Sequence, residues 1–294
     1  KYFYICGRKI IANCEITAIW GLYNRWTQAK KAFMETESPY FFIKEESTIT
    51  SFNELISLNK KNKFASVDYY TNSHLQEPHE TTGIFRGQSQ DWPLIPVAYR
   101  DLKSRTTTKF LEMDMRSDDY LRNYQFETFC KMASKQNKLF PKSPIERMCI
   151  AQHYGINTPL LDWTTNIFVA AYFALDLKDE DNQNKNLEPY IYHLKDERYL
   201  KTGIYLENDL KKINYSALVE APPIDRRIER QFSVFSFHPH PLKKPEKIPL
   251  SKYKISGDLF YELWEIMEGI GFSSPYLFPD YAGLVDRIKK GYMI

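Results

Sequence analysis

The first group in this sequence able to hold a ligand is an arginine at the end of a short apolar run, Ile84-Phe85-Arg86-Gly87-Gln88. A guanidinium is a planar fork that binds phosphate or carboxylate through two parallel hydrogen bonds, and a glycine beside it permits close backbone approach. A surface arginine in a turn carries the same letters, so Arg86 needs partners. A second group lies in "QHYGINTPLLDWTTN", residues 152–166. There a strand Leu160–Trp163 brings Asp162 and Thr164 to its end, and Thr165 or Asn166 caps the apolar helix that follows. Because a helix N-terminus has unpaired N–H groups and a positive dipole end, capping and anion binding use the same geometry. Capping residues need no further function, and a lone histidine such as His153 is more often structural than catalytic. A third group is "RRIERQFSVFSFHP", where Glu229 and Gln231 stand just before a strand in which Phe232, Val234 and Ser236 alternate with Ser233, Phe235 and Phe237. A carboxylate there can hold a ribose hydroxyl or act as a general base; an ordinary charged turn is the plain alternative. The fourth, "FPDYAGL", reads as structural, with Pro279 and Asp280 making a turn and a helix start.

Several chemistries have no counterpart in the chain. It contains no GxxxxGK[ST], GxGxxG, HExxH or GxSxG motif. Cys6, Cys14, Cys130 and Cys149 form no CxxC pair, and His238 and His240 flank Pro239 without a cysteine or carboxylate at ligand spacing. No metal is therefore expected, and the two histidines read as a solvated turn. The charge of 40 basic against 37 acidic residues leaves +3, too little to argue for a nucleic-acid partner from net charge alone. Basic surface has to be local, as in "DRRIER" and "PLKKPEK". No apolar run reaches the roughly 20 residues that span a bilayer, and no signal-peptide pattern opens the chain, so a reduced cytoplasmic protein without a membrane partner is expected.

The elements that must position these groups follow from periodicity. With Ile19, Leu22, Trp26 and Ala29 on one face, residues 1–47 are expected to form an N-terminal helical extension packed on the core. The main domain is placed at 48–294, opening with a helix capped near Thr50 or Ser51, where Glu54 closes a capping box. "TTGIFRGQSQDWPLIPVAYR" starts as a strand interrupted by Gly87, Pro93 and Pro96. Residues from about Leu111 to Lys138 have helical spacing at Tyr120, Leu121, Tyr124, Phe126, Phe129 and Met132. Ser143, Pro144 and Gly155 then mark the cap, first turn and stop of another helix. Beyond the polar stretch "DEDNQNKN", the segments "PYIYHL", "TGIYLE", "SALVEAP" and "QFSVFSFHP" are strand-like, the last two separated by "PIDRRIER". An amphipathic helix ending at Gly271 and a final short helix close the chain. Helices in the middle and strands afterwards give an α+β class.

"FRGQSQDWPLIPVAYR", "AQHYGINTPLLDWTTNIFVAAYFAL", "RIERQFSVF" and "LFPDYAGLVDRI" resemble, in order and spacing, the signature blocks of the FRG domain, over roughly Thr48 to Lys290. Those blocks in turn resemble the three blocks of arginine-type ADP-ribosyltransferases. The resemblance implies a split β-sheet core of that superfamily with several surrounding helices, and NAD as the substrate that serves as cofactor. It assigns Arg86 to the NAD contact, with Gly87, Gln88, His153, Tyr154, Asp162, Thr164 and Thr165 around the ligand. Glu229 or Gln231 falls near the catalytic glutamate, although "ERQ" stands where a Glu-x-Glu is expected and Asp162-Trp163 replaces part of a Ser-Thr-Ser pattern. The implied protein is a bacterial toxin or phage-defence effector that modifies nucleic acid or, second, protein, with an antitoxin or inhibitory protein as a further partner. Two alternatives stand beside it. One is a metal-independent ribonuclease using His153 or His238 with Arg86 and Glu229; the other is a non-catalytic nucleotide- or partner-binding module.

Overall fold

A computed structural model describes residues 38–59, 83–100, 117–138, 140–175, 188–195, 213–220, 226–241, 244–270, 272 and 274–279, with short pieces at 4–5, 8–9, 62–64, 79–81, 285 and 288. Its centre is one open, mixed sheet of seven strands. These are β1 (Phe41–Ile49), β2 (Ile84–Gln88), β3 (Leu160–Thr164), β4 (Tyr190–Leu194), β5 (Ala217–Glu220), β6 (Ser233–Phe237) and β7 (Ile248–Ile255). They lie side by side in the order β1-β7-β4-β2-β3-β6-β5. Within this sheet only β1 and β7 pair in parallel; the other neighbours are antiparallel. The helices are α1 (Phe52–Ser57), α2 (Val97–Arg100), α3 (Ser117–Gln136), α4 (Pro144–His153), α5 (Ile167–Leu175), α6 (Arg226–Arg230), α7 (Gly257–Gly269) and α8 (Ser274–Leu277). Mixed α and β structure is thus observed around this open seven-stranded sheet, and the short pieces 4–5 with 8–9 and 62–64 with 79–81 form two further two-stranded pairs.

Alternation along each strand divides the core into two faces. On one face Phe85, Ile191, Tyr253 and Ile255 pack under α5 and α7. On the other, Ile84, Leu161, Trp163, Tyr190, Tyr192 and Leu194 pack with Tyr40 and Phe41. Helix α5, "IFVAAYFAL", has seven of its nine residues buried, which explains why it lacks a polar stripe. Each large apolar side chain so buried stabilises by about 1.5–3 kcal/mol, against about 1 kcal/mol for a helix cap. Burial therefore holds α5 in place, and the cap sets only where it starts.

That burial depends on Gly87. The glycine does not interrupt the strand as its sequence context suggested; it sits inside β2. A Cβ built there would lie 1.8 Å from the carbonyl oxygen of Ala170 and 2.6 Å from the amide nitrogen of Ala174. The close approach that glycine permits is consequently that of helix α5.

Several expected elements appear where they were read. Ser51 caps α1, its hydroxyl accepting from the Glu54 amide, while the Glu54 carboxylate accepts from the Thr50 amide at 2.7 Å. Ser143 caps α4, Pro144 opens it, and Gly155 follows it at φ +80°. Other expectations change. Strand β1 crosses the boundary set at 47/48, because its parallel pairing with β7 recruits residues 41–47 into the sheet through backbone hydrogen bonds that side-chain patterning does not reveal. "PIDRRIER" contains helix α6 rather than a plain connection. On α3, Tyr124 and Met132 stay more than half exposed. The helix predicted around Ile19 to Ala29, "TGIYLE" and "DEDNQNKN" lie outside the described residues, as does most of the last helix.

His238 departs furthest from expectation. Instead of a solvated turn, it is wholly buried. Its Nδ1 lies 2.8 Å from the Ser216 hydroxyl and its Nε2 2.7 Å from that of Ser236. The rings of Tyr40 and Phe41 pack against it. "HPH" looks polar in sequence, but the β6–β3 pairing carries the backbone inward, where the His238 amide donates to the Pro159 carbonyl. Burial holds this imidazole neutral by lowering its pKa to about 3.

Two predictions follow from these contacts. Gly87→Ala should destabilise the fold by about 3 kcal/mol or more, since backbone has to move, whereas Gly257→Ala, with open space around it, should change stability by less than about 0.5 kcal/mol; denaturant midpoints of the two variants test this. For His238 the folded pKa lies below the unfolded one, so the unfolded chain takes up the proton first. Stability should fall as pH drops from about 6.5 towards about 3, by at most ~1.4 kcal/mol per pH unit, and be independent of this group's titration above that window. Urea titrations from pH 8 to 4 should show the stability gap between wild type and His238→Gln narrowing with acidification; parallel curves would refute it.

Candidate active site

Strands β2, β3 and β6 are adjacent in the sheet, and the sequence groups around Arg86, Asp162 and Gln231 therefore meet. They line one cavity of about 280 Å³. Its polar wall comes from Arg86, Gln152, His153, Asp162, Thr164 and Gln231, with Arg227 from α6 beside them. Its apolar wall includes Trp163, Phe173 and Phe235.

Arg86 is anchored at two points. Its Nη1 donates to the Asp162 carbonyl oxygen at 2.7 Å and its Nε donates to Gln88 Oε1 at 3.3 Å. The Asp162 carboxylate is farther, at 3.8 Å, and its side chain is 57% exposed, so solvent weakens that ion pair. The carbonyl bond, between fixed backbone and a buried fork, sets the arginine's position. Burial lowers the Arg86 pKa from its ordinary value while the Asp162 charge opposes the shift; a guanidinium still keeps its proton in water near neutral pH. The remaining N–H groups of the fork are available to an anion.

Asp162 is held in turn by Gln152, whose Nε2 donates to both carboxylate oxygens at 3.1 and 3.3 Å. The Gln152 side-chain oxygen Oε1 accepts from the buried Thr158 hydroxyl. Thr164 acts as a clamp between blocks. Its hydroxyl donates to the Gln231 carbonyl at 2.7 Å and accepts from the Asn166 amide at 3.1 Å. Asn166 then caps α5, accepting from the Phe168 amide at 2.9 Å. Gln231 is braced from the far side by its Nε2, which donates to the Leu277 carbonyl.

Residues 81–184 match the FRG domain. No curated protein and no solved structure matches the chain. The FRG segment supplies Arg86, Asp162, Thr164 and helix α5, whereas Arg227 and Gln231 come from beyond its end and reach the cavity through the β3–β6 pairing.

Not every expected residue reaches the cavity. Glu229 is exposed on α6 and does not line it, because the buried position of that short helix is Ile228 and the next residue turns to solvent. Gln88 is buried beneath Arg86, with its Nε2 donating to the Trp92 carbonyl, so it supports the arginine from behind. Tyr154 and Thr165 are exposed and outside the lining, and Gly87 contributes a wall whose main neighbour is α5. Gln152, Trp163, Phe173 and Arg227 were missed. Only Arg227 had a sequence signal, the basic cluster "DRRIER"; the others read as ordinary helix and strand residues. Among the described residues no group of three His, Cys, Asp or Glu side chains could hold a metal, and no helix is long and apolar enough to cross a membrane.

The clamp gives a direct test of site assembly. Thr164→Val should cost about 1–3 kcal/mol, because it strands the Gln231 carbonyl and the Asn166 amide, while Thr164→Ser should recover most of it. Glu229→Ala should stay within about 0.5 kcal/mol of wild type, in keeping with its exposure. Thermal and denaturant melts of the three variants distinguish these outcomes.

Proposed function

We propose that the cavity binds NAD and that the protein is an ADP-ribosyltransferase. One observation carries the reading: Arg86, the Asp162–Thr164 strand end and Gln231, far apart in sequence, line a single cavity with aromatic walls. A guanidinium with free donors suits a pyrophosphate, and Trp163 or Phe173 suits a flat aromatic ring. At about 280 Å³ the cavity lies at the small end of ligand sites, a size for one end of a dinucleotide with the rest along the rim.

NAD brings a ribose carbon that becomes electron-poor as nicotinamide leaves with the bonding electron pair; an acceptor nucleophile bonds to that carbon and gives up its proton. The chain's contribution is positional and electrostatic. Arg86 binds the pyrophosphate. Asp162, the only carboxylate among the described lining residues, provides the negative charge that opposes the developing positive one, a part the sequence had offered to Glu229. Gln231 orients the ribose through its amide, and Gln152 keeps Asp162 facing the cavity. Of the groups in the ribonuclease alternative, His153 and Arg86 line the cavity, whereas His238 is buried in the core and Glu229 faces solvent.

The test uses labelled NAD with a mixture of RNA, DNA and protein as acceptors. Transfer of label is expected, with Arg86→Ala weakening NAD binding at least roughly tenfold, as loss of a charge-assisted bidentate contact does. Asp162→Asn should lower the transfer rate by about 100-fold or more while NAD binding changes little, and Glu229→Gln should behave as wild type. Full activity in Asp162→Asn, or loss in Glu229→Gln alone, would return the carboxylate role to Glu229.

A further inference from the structure

The rim of the cavity on the α6 side carries a combination of groups that the transfer chemistry leaves unused. Arg226 is exposed, Arg227 reaches the cavity with its guanidinium 4.5 Å from the Phe278 ring centre, and Arg230 lies 5.0 Å from that of Tyr276. Glu229 is the one acidic residue in α6, so the helix is a basic patch. Two aromatic side chains stand out from the same rim, Phe232 at 45% exposure and Tyr276 at 36%. They come from separate segments, which the Arg230 Nη1 bond to the Tyr276 carbonyl and the Gln231 bond to the Leu277 carbonyl hold together.

Phe232 is also conformationally unusual. Its φ of 48° lies in the left-handed region, where a bulky side chain is strained and glycine or asparagine sits comfortably. The strain is locked in by backbone bonds on both sides: the Phe232 amide donates to the Glu229 carbonyl, and its own carbonyl accepts from the Thr165 amide, each at 3.1 Å. Nearly half of the residue nonetheless stays in solvent. A strained turn that keeps an aromatic ring in solvent, one residue from the cavity-lining Gln231, serves something outside the fold.

We infer that this rim is a docking surface for single-stranded nucleic acid, which brings the acceptor to the cavity mouth. Arginines along the rim match phosphates, and the projecting Phe232 ring matches an unpaired base; a duplex, whose bases are stacked on one another, leaves that face idle. The role of acceptor rests on the cavity being the transfer site, but the docking surface itself does not. An acidic protein surface would pair with the arginines and gain nothing from a strained, outward Phe232.

The experiment measures fluorescence anisotropy of labelled 20-nucleotide single-stranded RNA, single-stranded DNA and duplex with the full chain across a salt series. Single strands should bind more tightly than duplex, with affinity falling as salt rises. Phe232→Gly removes the ring and relieves the strain, so its melting temperature should hold or rise while single-strand affinity drops roughly tenfold. Arg226→Gln, at an exposed position, should make the salt slope shallower by about 0.7. Equal binding of duplex and single strand, or unchanged affinity in Phe232→Gly, overturns the inference. Absence of oligonucleotide binding together with NAD-dependent labelling of protein overturns it too and leaves the transferase reading standing. Single-strand binding with these variant effects but no NAD binding sustains the surface and removes that reading.

Discussion

The contact between helix α5 and strand β2 at Gly87 is the constraint on which the site depends. An apolar helix laid this close to a strand needs a position with no side chain, and Gly87 is that position. The helix buries nearly all of its length, and its first turn is brought beside the end of β3. Asn166 can then cap it while Thr164, two residues earlier, faces the cavity. The same close packing leaves Arg86, the neighbour of Gly87, pointing across to β3, where the Asp162 carbonyl receives it. One missing Cβ thereby aligns the arginine and the helix mouth.

Around this contact, hydrogen bonds to uncharged partners do more of the positioning than ion pairs do. Arg86 is fixed by two neutral oxygens and only loosely by the partly exposed Asp162 carboxylate. Asp162 is fixed by an amide, and Gln231 by a hydroxyl on one side and a carbonyl contact on the other. Beneath the cavity the Trp163 indole donates to Ser236 at 2.7 Å, and Ser236 meets the neutral His238. Such a network is worth having only if complete, because a buried polar group left unpaired costs more than the bond it loses. It gives a rigid floor on which a charged ligand can be recognised without the protein having to rearrange its own charges.

Arg86 keeps part of its fork for a ligand, and the Arg227 guanidinium lies over the aromatic ring of Phe278. Under the proposed function, these groups and the apolar wall would receive the anionic and aromatic parts of NAD. The FRG segment contributes most of the cavity lining and the residues after it contribute the rest, so neither part can form the site alone.

Local features were legible in the sequence because local physics produces them. The capping box of Ser51 and Glu54, the Ser143-Pro144 start and Gly155 stop of α4, the buried helix α5 and the strands carrying Arg86 and Asp162 all follow from short-range spacing. The order of blocks also pointed to Arg86, Asp162, Thr164 and Gln231, and these line one cavity. What the sequence left undecided depended on contacts between distant segments. Pairing of β6 with β3 decides that His238 is buried and that Gln231, not Glu229, faces the cavity; parallel pairing with β7 decides that residues 41–47 join the sheet. A side chain's neighbours along the chain set its local conformation, but its burial, its pKa and its partners are set by whichever strand or helix arrives across the sheet, and only the tertiary structure supplies that.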